Sequence, residues 1–199
     1  MGMQRFLEGR MSFVRDLLRS DVDVTYGDIV LVTCAVLSAC AAHRWPRAGR
    51  DSDKKKFTRL LIEHSAPEFR TSWISIPSLL NDGLIGEGET PWGTPGSECR
   101  IFCDDEIDLA LQEAVARFPQ ITPQKIREYS YASLIYKLLR CAYSHEYRPH
   151  VSINEVEASR REARISYIGR ISANGTERRV SFHLEYLIRL AEYHVSILP

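Results

Sequence analysis

Hydrophobic residues recur at helical spacing over the first part of the chain. Residues 4–19 carry an apolar stripe at the spacing of one helix face, formed by Phe6, Leu7, Met11, Val14, Leu17 and Leu18. Thr25 and Asp28 have the spacing of a capping box, which predicts that a second helix begins there. That helix continues to about His43 and is apolar nearly all round, so we expect it to be buried.

A charged connector, residues 47–56, separates this helix from a third. Asp51, Ser52 or Asp53 is suited to cap the third helix, whose apolar face comprises Phe57, Leu60 and Leu61. Beyond it, residues 66–103 show little periodicity and hold four of the nine prolines and five of the eleven glycines. Loops of this length are functional or mobile. We therefore interpret 66–103 as a long irregular insertion, in which WISIPSLL packs on the bundle.

Helical periodicity returns in the second half of the chain. One amphipathic helix is predicted over Asp104–Phe118, with acidic residues in its first turn, where the helix dipole favours them. Thr122 and Pro123 begin the next helix. This helix runs, with a break near Ser130, through the apolar stretch YASLIYKLL and stops at Pro149. We expect it to be the central helix of a bundle.

The period then changes to that of strands. Residues 151–156 and 164–171 alternate β-branched and polar residues, and Asn174-Gly175 is a hairpin turn signal. Residues 180–182 return the strand, and 184–197 form a closing helix. The pattern predicts a mainly α protein, a bundle of five or six helices with a small late β-hairpin.

We expect one domain over residues 1–199, with the irregular insertion at 66–103 and the β-hairpin insertion at 150–183. Hydrophobic residues make up 44% and charged residues 26% of the chain, as in an ordinary soluble protein. The longest apolar run, Ile29–Ala42, is too short to cross a bilayer, so no membrane role is expected. Five cysteines, an odd number, indicate free thiols in a reducing cytoplasm.

The formal net charge is zero, so a polyanion would bind only at a local basic patch. One candidate patch lies in the connector and comprises Arg44, Arg47, Arg50, Lys54, Lys55 and Lys56. A second lies on the hairpin and comprises Arg160, Arg161, Arg164, Arg178 and Arg179. Each has a plainer interpretation as a solvated charged surface. The pairs Cys40/His43 and Cys99/Cys103 fall short of a zinc site, and we expect neither a metal nor another cofactor.

The strongest candidates for chemistry are Arg140 and His145, at the end of the predicted central helix. On an ideal α-helix, five residues place two side chains about 140° apart with a rise of about 7.5 Å. The pair therefore needs an unwound helix end or a second copy of the chain to act on one phosphate. The alternative is a structural arginine that caps carbonyls or pairs with a neighbour. Tyr136, Tyr143 and Ser144 lie one turn from Arg140 and are candidates to stack a base or bind a phosphate, although aromatics at such spacing more often pack in the core.

The stretch LLRCAYSHEY resembles the R-x4-6-H hallmark of the HEPN superfamily, which lies at the end of a buried bundle helix. Upstream, VTCAVLSACAAHRWP, a charged connector and KKFTRLLIEHS resemble a prokaryotic branch of that family associated with abortive infection and defence. The resemblance covers roughly residues 26–65 and 123–147. It implies a HEPN-like domain whose active members are metal-independent endoribonucleases that work as homodimers, as toxins or defence effectors.

The resemblance further implies roles for the two residues. Arg140 would hold the scissile phosphate, and His145 would exchange protons with the 2′-hydroxyl or the leaving oxygen. In active members the residue after the arginine is often Asn, Asp or His, whereas here it is Cys141, a weak hydrogen-bond donor.

This departure favours an alternative, a non-catalytic HEPN module that binds RNA, nucleotide or a partner such as an antitoxin or another regulatory protein. A third hypothesis is a helical scaffold without a site.

Overall fold

Three long helices build the N-terminal part of the protein, as the sequence predicts: α1 (Met3–Arg19), α2 (Tyr26–Arg44) and α3 (Asp53–His64). The computed structural model describes residues 2–46, 52–86, 101–155, 163–172 and 175–199. Within them the protein is mainly helical, with a small antiparallel sheet formed late in the chain. The predicted fold class is confirmed at this level.

Helix α2 lies at the centre of the main core. Its predicted capping box is present, because Thr25 Oγ1 accepts from the Asp28 amide and Asp28 accepts from the Thr25 amide. The helix packs against α1, α3 and the C-terminal helix α10 (Leu184–Ser196). By length and composition alone α2 could cross a membrane, but half of its most apolar window is buried inside the protein, as in a core helix.

Helix α1 buries a narrower face than its sequence predicts. Leu7, Met11 and Val14 are buried, whereas Phe6 and Leu18, which the sequence places on the same stripe, are exposed. At the edge of the buried face, one turn after Met11, Arg15 forms ion pairs with Glu185 and Glu192 of α10. The apolar stripe is therefore wider than the contact that α1 makes.

Residues 66–86 are more ordered than an irregular insertion. They form a 3₁₀ turn, Pro67–Phe69, and a short helix, α4 (Ile76–Asn81). The segment WISIPSLL is packed as expected, but mainly into a second, smaller core rather than onto the bundle. This second core comprises Ile74, Ile76, Leu79, Ile85, Ala114, Phe118, Ile121, Ile126 and Tyr129. Residues 87–100 of the predicted insertion lie outside the described residues.

The helix predicted over Asp104–Phe118 is two helices, α5 (Asp104–Ile107) and α6 (Leu111–Arg117). They are separated at Asp108, whose backbone is extended and whose side chain is buried. Its carboxylate accepts hydrogen bonds from Tyr131, Tyr167 and the Ile76 amide, at 2.6, 2.5 and 3.0 Å. The prediction of one helix is wrong here because a buried carboxylate ends the first helical segment.

The sheet contains the predicted hairpin, β2 (Ile165–Ser172) and β3 (Gly175–Phe182), paired antiparallel. A two-residue strand that the sequence does not predict, β1 (Phe102–Cys103), pairs with β2, and the order is β1-β2-β3. The strand predicted at 151–156 is absent over 151–155, where Ile153 makes a single bridge to Val180. Residue 156 lies outside the described residues.

The predicted central helix is segmented, with the break at Ser130 where the sequence places it. Helix α7 (Pro123–Arg127) precedes the break. After it, α8 (Tyr131–Leu134) continues into a π-helix (Ile135–Cys141) and then α9 (Ala142–Glu146). Tyr131, Ile135 and Leu139 are buried in the main core, so this composite helix is a core element as expected.

Candidate functional site

The π-helix Ile135–Cys141 leads directly into the candidate site. Ile135, Leu138 and Leu139 anchor it in the core, and Arg140 follows them at the surface end of the same turn. A π-helix joins residues five apart by hydrogen bonds, and such widened turns occur frequently at functional sites. Side chains five residues apart therefore lie closer around its axis than they do on an α-helix.

Arg140 and His145 meet within one chain. Nη1 of Arg140 lies 3.4 Å from Nε2 of His145. The sequence argument required an unwound helix end or a second copy, but the two side chains meet within one chain. The π-helix ends at Cys141 and His145 lies in α9, so the length of the arginine side chain accounts for the contact.

The contact fixes which form of the histidine it uses. A guanidinium can only donate hydrogen bonds, so Nε2 of His145 must offer its lone pair to Arg140. A hydrogen bond across this contact therefore uses the tautomer that carries its proton on Nδ1. His145 is exposed, so its ring is open to a ligand while Nε2 faces the arginine. This arrangement presents a proton acceptor beside a fixed positive charge.

Two further groups surround the Arg140 guanidinium. Asp53 Oδ2 lies 3.2 Å from Nη2, and the ring centroid of Tyr136 lies 5.4 Å from the guanidinium carbon. The Arg140 side chain is only 18% exposed, whereas the Asp53 side chain is 76% exposed. Arg140 is therefore held by its packing on Tyr136, and Asp53 approaches it from solvent.

Tyr136 belongs to the site and to the core at once. Its ring packs edge-on against Phe57 of α3, with centroids 5.4 Å apart. Burial, and then the neighbouring Cys141 thiol, raise the pKa of the Tyr136 hydroxyl above its usual value. A neutral phenol beside Arg140 can donate a hydrogen bond to an anion.

Tyr143 lies in the core. Its ring is therefore not placed to stack a base, which the sequence allowed. Its ring is buried, and its hydroxyl donates to Glu155. A Cβ at Gly27 would lie 2.7 Å from Cε1 of Tyr143, so the ring packs directly on the start of α2. Ser144 is exposed. Of the three tentative substrate-binding residues, Tyr136 contacts Arg140 and Tyr143 is a packing residue.

The cysteines near the site are thiols. Cys141 is partly exposed and Cys34, on α2, is buried. Burial raises the pKa of Cys34 to about 12, so its thiol stays protonated at neutral pH. A protonated thiol is a poor nucleophile. Cys34 therefore contributes packing rather than covalent chemistry to this region.

Tyr147 ends α9 in the left-handed conformation, with φ of 49°. Non-glycine residues with left-handed backbone angles are uncommon, and they are often found where the backbone is constrained for function. Its hydroxyl donates to Asp28 Oδ1, which lies in the capping box of α2. The Thr25 side chain, and then Tyr147, lower the pKa of Asp28. This contact fixes the chain that leaves the site to the start of α2.

Asp53 and Tyr147 are the residues that sequence reasoning did not assign to the site. Asp53 was assigned only a possible capping role, and it is 87 positions from Arg140. No local pattern relates residues so far apart. Tyr147 stood within the quoted motif, but its left-handed backbone has no signal in the sequence.

The two candidate basic patches differ in their exposure and in the contacts that their side chains make. Lys54 and Lys55 are exposed in the first turn of α3, beside Asp53, while Arg47 and Arg50 lie outside the described residues. On the hairpin, Arg164 pairs with the buried Asp104 at 2.9 Å and Arg178 is buried over the Phe102 ring. Arg160 and Arg161 lie outside the described residues. The described part of the second patch is thus structural.

In the described part of the chain, no three His, Cys, Asp or Glu side chains are arranged to hold a metal ion. Cys99 of the Cys99/Cys103 spacing lies outside that part, and Cys103 is buried. Comparison of the chain with family models, with curated proteins and with solved structures gives no match. The function therefore has to be argued from the geometry of the site.

Proposed function

We propose that this protein is a metal-independent endoribonuclease of the HEPN type. The observation that supports this best is the 3.4 Å contact between Arg140 Nη1 and His145 Nε2 at an accessible helix end. A guanidinium and a neutral imidazole are the two groups that cleavage of an RNA backbone by its own 2′-hydroxyl requires. One binds the phosphate and the other moves a proton.

The reaction has two proton transfers and one exchange at phosphorus. Once the phosphate has taken Nη1 of Arg140, His145 Nε2 is released and takes the proton of the 2′-hydroxyl as the 2′-oxygen bonds to phosphorus. The bond from phosphorus to the 5′-oxygen breaks, and His145 gives the proton to that oxygen. Arg140 stabilises the charge on the non-bridging oxygens. The products are a 2′,3′-cyclic phosphate and a 5′-hydroxyl, and no water or metal is consumed in this step.

The surroundings of the pair fit a polymer better than a small enclosed ligand. His145 and Ser144 are exposed, and Lys54 and Lys55 project from the neighbouring helix start. Cationic side chains next to a phosphate-binding arginine favour a chain of phosphates. Tyr136 offers an aromatic ring beside the guanidinium. These features support RNA as the substrate class.

We further propose that the protein works as a cytoplasmic homodimer with a composite cleft, as a toxin or defence effector. Tyr147 and Val151, which follow the site, are 64% and 72% exposed. Exposed aromatic and apolar side chains next to the site are suited to be buried against a second copy of the chain. Within one chain the pair is already assembled, so the dimer would complete a cleft rather than create the pair. Sedimentation velocity of the wild type against Val151→Glu tests this, with a shift to monomer expected in the variant.

The second candidate function is a non-catalytic HEPN module that binds RNA, nucleotide or a regulatory protein such as an antitoxin. Cys141 favours it, because a thiol next to Arg140 donates only weakly to a phosphate. In this case the site binds RNA but leaves it intact.

The decisive experiment measures cleavage of a labelled RNA in the presence of EDTA. The wild type is expected to yield fragments ending in 2′,3′-cyclic phosphate, and His145→Ala to yield none while keeping its circular dichroism spectrum. His150→Ala, a change of the same type at a second histidine five residues further on, serves as the matched control and should cleave. A folded, dimeric wild type that binds RNA without cleaving it would leave the binding module as the function.

A further inference from the structure

The Arg140 guanidinium already has an anionic partner from its own chain. Asp53, the first residue of α3, places Oδ2 3.2 Å from Nη2. We propose that Asp53 is an intramolecular competitor, which occupies the phosphate-binding edge of Arg140 until a polyanionic substrate displaces it. This inference rests on the proposed function, because it concerns the anion that Arg140 binds.

The competition follows from the shape of the guanidinium. Arginine binds phosphate best through two parallel N–H groups. In this structure Nη1 faces His145 and Nη2 faces Asp53. A phosphate that takes the edge shared by Nη1 and Nη2 therefore meets the Asp53 carboxylate. Two anions within about 4–5 Å of each other in a water-like dielectric repel by an amount equal to about fivefold in affinity.

Asp53, rather than Arg140, is the partner that can move. Its side chain is 76% exposed, and the Arg140 side chain is 18% exposed and rests over the Tyr136 ring. Exposed ion pairs are weak, so the pair breaks at small cost. The start of α3 also stabilises an acidic side chain that has turned to solvent, through the helix dipole.

The residues next to Asp53 determine which anions can displace it from Arg140. Lys54 and Lys55 follow it in the same turn and are exposed. A chain of phosphates bound at Arg140 can carry neighbouring phosphates to the cations of this turn, whereas a single phosphate bears the full repulsion. Asp53 therefore selects for polynucleotide over small phosphate ligands such as inorganic phosphate.

The test compares Asp53→Asn with the wild type, using inorganic phosphate and a labelled oligoribonucleotide as probes. Phosphate binding is followed by the nuclear magnetic resonance signal of the His145 ring, assigned from its loss in His145→Gln. We expect Asp53→Asn to bind phosphate about three- to tenfold more tightly, with a smaller gain for the oligoribonucleotide. Raising the salt concentration should shrink both gains.

Asp105→Asn is the matched control, since it removes the same charge from an exposed position in the first turn of α5. It should leave phosphate affinity unchanged. Asp53→Ser retains a residue suited to a helix start and repeats the measurement should Asp53→Asn fold poorly.

The outcomes separate this inference from the proposed function. Unchanged or weaker phosphate binding in both Asp53 variants overturns the competitor role, even if the wild type cleaves RNA. Tighter phosphate binding in the Asp53 variants, with no RNA cleavage by the wild type or any variant, supports the competitor role of Asp53 and contradicts the proposed ribonuclease activity. An equal gain for Asp105→Asn shows a general charge effect and also overturns it.

Discussion

The composite helix that begins at Tyr131 carries a polar cluster at each end, and the two clusters are built in opposite ways. At its start, Tyr131 donates to the buried carboxylate of Asp108, which accepts two further hydrogen bonds. At its end, Arg140 holds His145 and Asp53 through longer contacts of 3.4 and 3.2 Å beside solvent. The first cluster is buried and fully bonded, and the second is open and loosely bonded.

The difference teaches how to separate structural from functional polar groups in this protein. A buried polar group is tolerated only when its hydrogen bonds are made, so the Asp108 cluster has no capacity left for a ligand. An exposed pair held by weak contacts can exchange its partners for a substrate. Changes at the first end should therefore affect stability, and changes at the second should affect activity.

The largest effect is expected from Arg140→Ala. Losing the group that stabilises the phosphate should lower RNA cleavage by about 10²–10³-fold, as for loss of one transition-state donor. The free energy of unfolding should fall by only about 1 kcal/mol, because the partner Asp53 is exposed and the main loss is the packing of Arg140 on the Tyr136 ring. Denaturant unfolding and cleavage rates measured on the same samples check this. A loss of stability with no loss of activity would instead support the scaffold hypothesis.

Tyr167→Phe tests the buried Asp108 cluster at the start of the composite helix. It removes a donor to the Asp108 carboxylate and leaves that buried oxygen with one hydrogen bond fewer. We expect the free energy of unfolding to fall by about 1–3 kcal/mol. RNA cleavage per folded molecule should stay at the wild-type level, and reduced cleavage would show that the two ends are coupled.

The pH dependence of stability sharpens the same contrast. Burial raises the pKa of Asp108 to about 8, against three hydrogen bonds that lower it. Between the ordinary pKa of an aspartate, near 4, and about pH 8, the folded protein keeps a proton that the unfolded chain releases. Asp108 therefore destabilises the fold as pH rises, by up to about 1.4 kcal/mol per pH unit.

Asp108→Asn removes this dependence. Relative to the wild type, it should be more stable at pH 8 than at pH 5, as measured by urea unfolding at both values. A stability difference that stays constant with pH would mean that Asp108 is ionised in the fold across this range.

The smallest effect concerns Tyr143, which lies on the buried side of the second end. Gly27→Ala would place a Cβ 2.7 Å from the Tyr143 ring and should cost about 1–2 kcal/mol through overpacking. Gly9→Ala on α1 meets nothing within 4 Å and should instead stabilise the protein by up to about 1 kcal/mol. Thermal unfolding of both variants checks the opposite signs. Equal effects would mean that Tyr143 is not packed on α2.

Local patterns predict the helical part of the fold well. The capping box at Thr25 and the break at Ser130 depend on short-range hydrogen bonds and backbone preferences. Asn174 of the predicted hairpin turn lies outside the described residues. The break at Asp108 depends on Tyr131 and Tyr167, which are distant in sequence, so the periodic pattern continues through it. Strand β1 could not be predicted for the same reason. Its two residues form a strand only because they pair with β2, which is distant in sequence.

The candidate site shows the same division. Arg140 and His145 are recognisable from the residue types and their position at the end of an apolar run. Asp53 and the core position of Tyr143 depend on how α2 and α3 pack on the composite helix. The π-turn is equally hidden, because one additional residue in a turn leaves the alternation of apolar and polar positions nearly intact.

The widened turn at Ile135–Cys141 has a consequence for the number of residues that this segment can hold. A π-turn contains about one residue more than an α-turn, so deleting a single codon there would restore the ordinary helical period and leave Arg140 and His145 facing nearly the same neighbours. The same deletion in a regular α-helix such as α2 would rotate every residue beyond it by about 100°. The widened turn is therefore the part of the composite helix where the loss of one residue should be tolerated best.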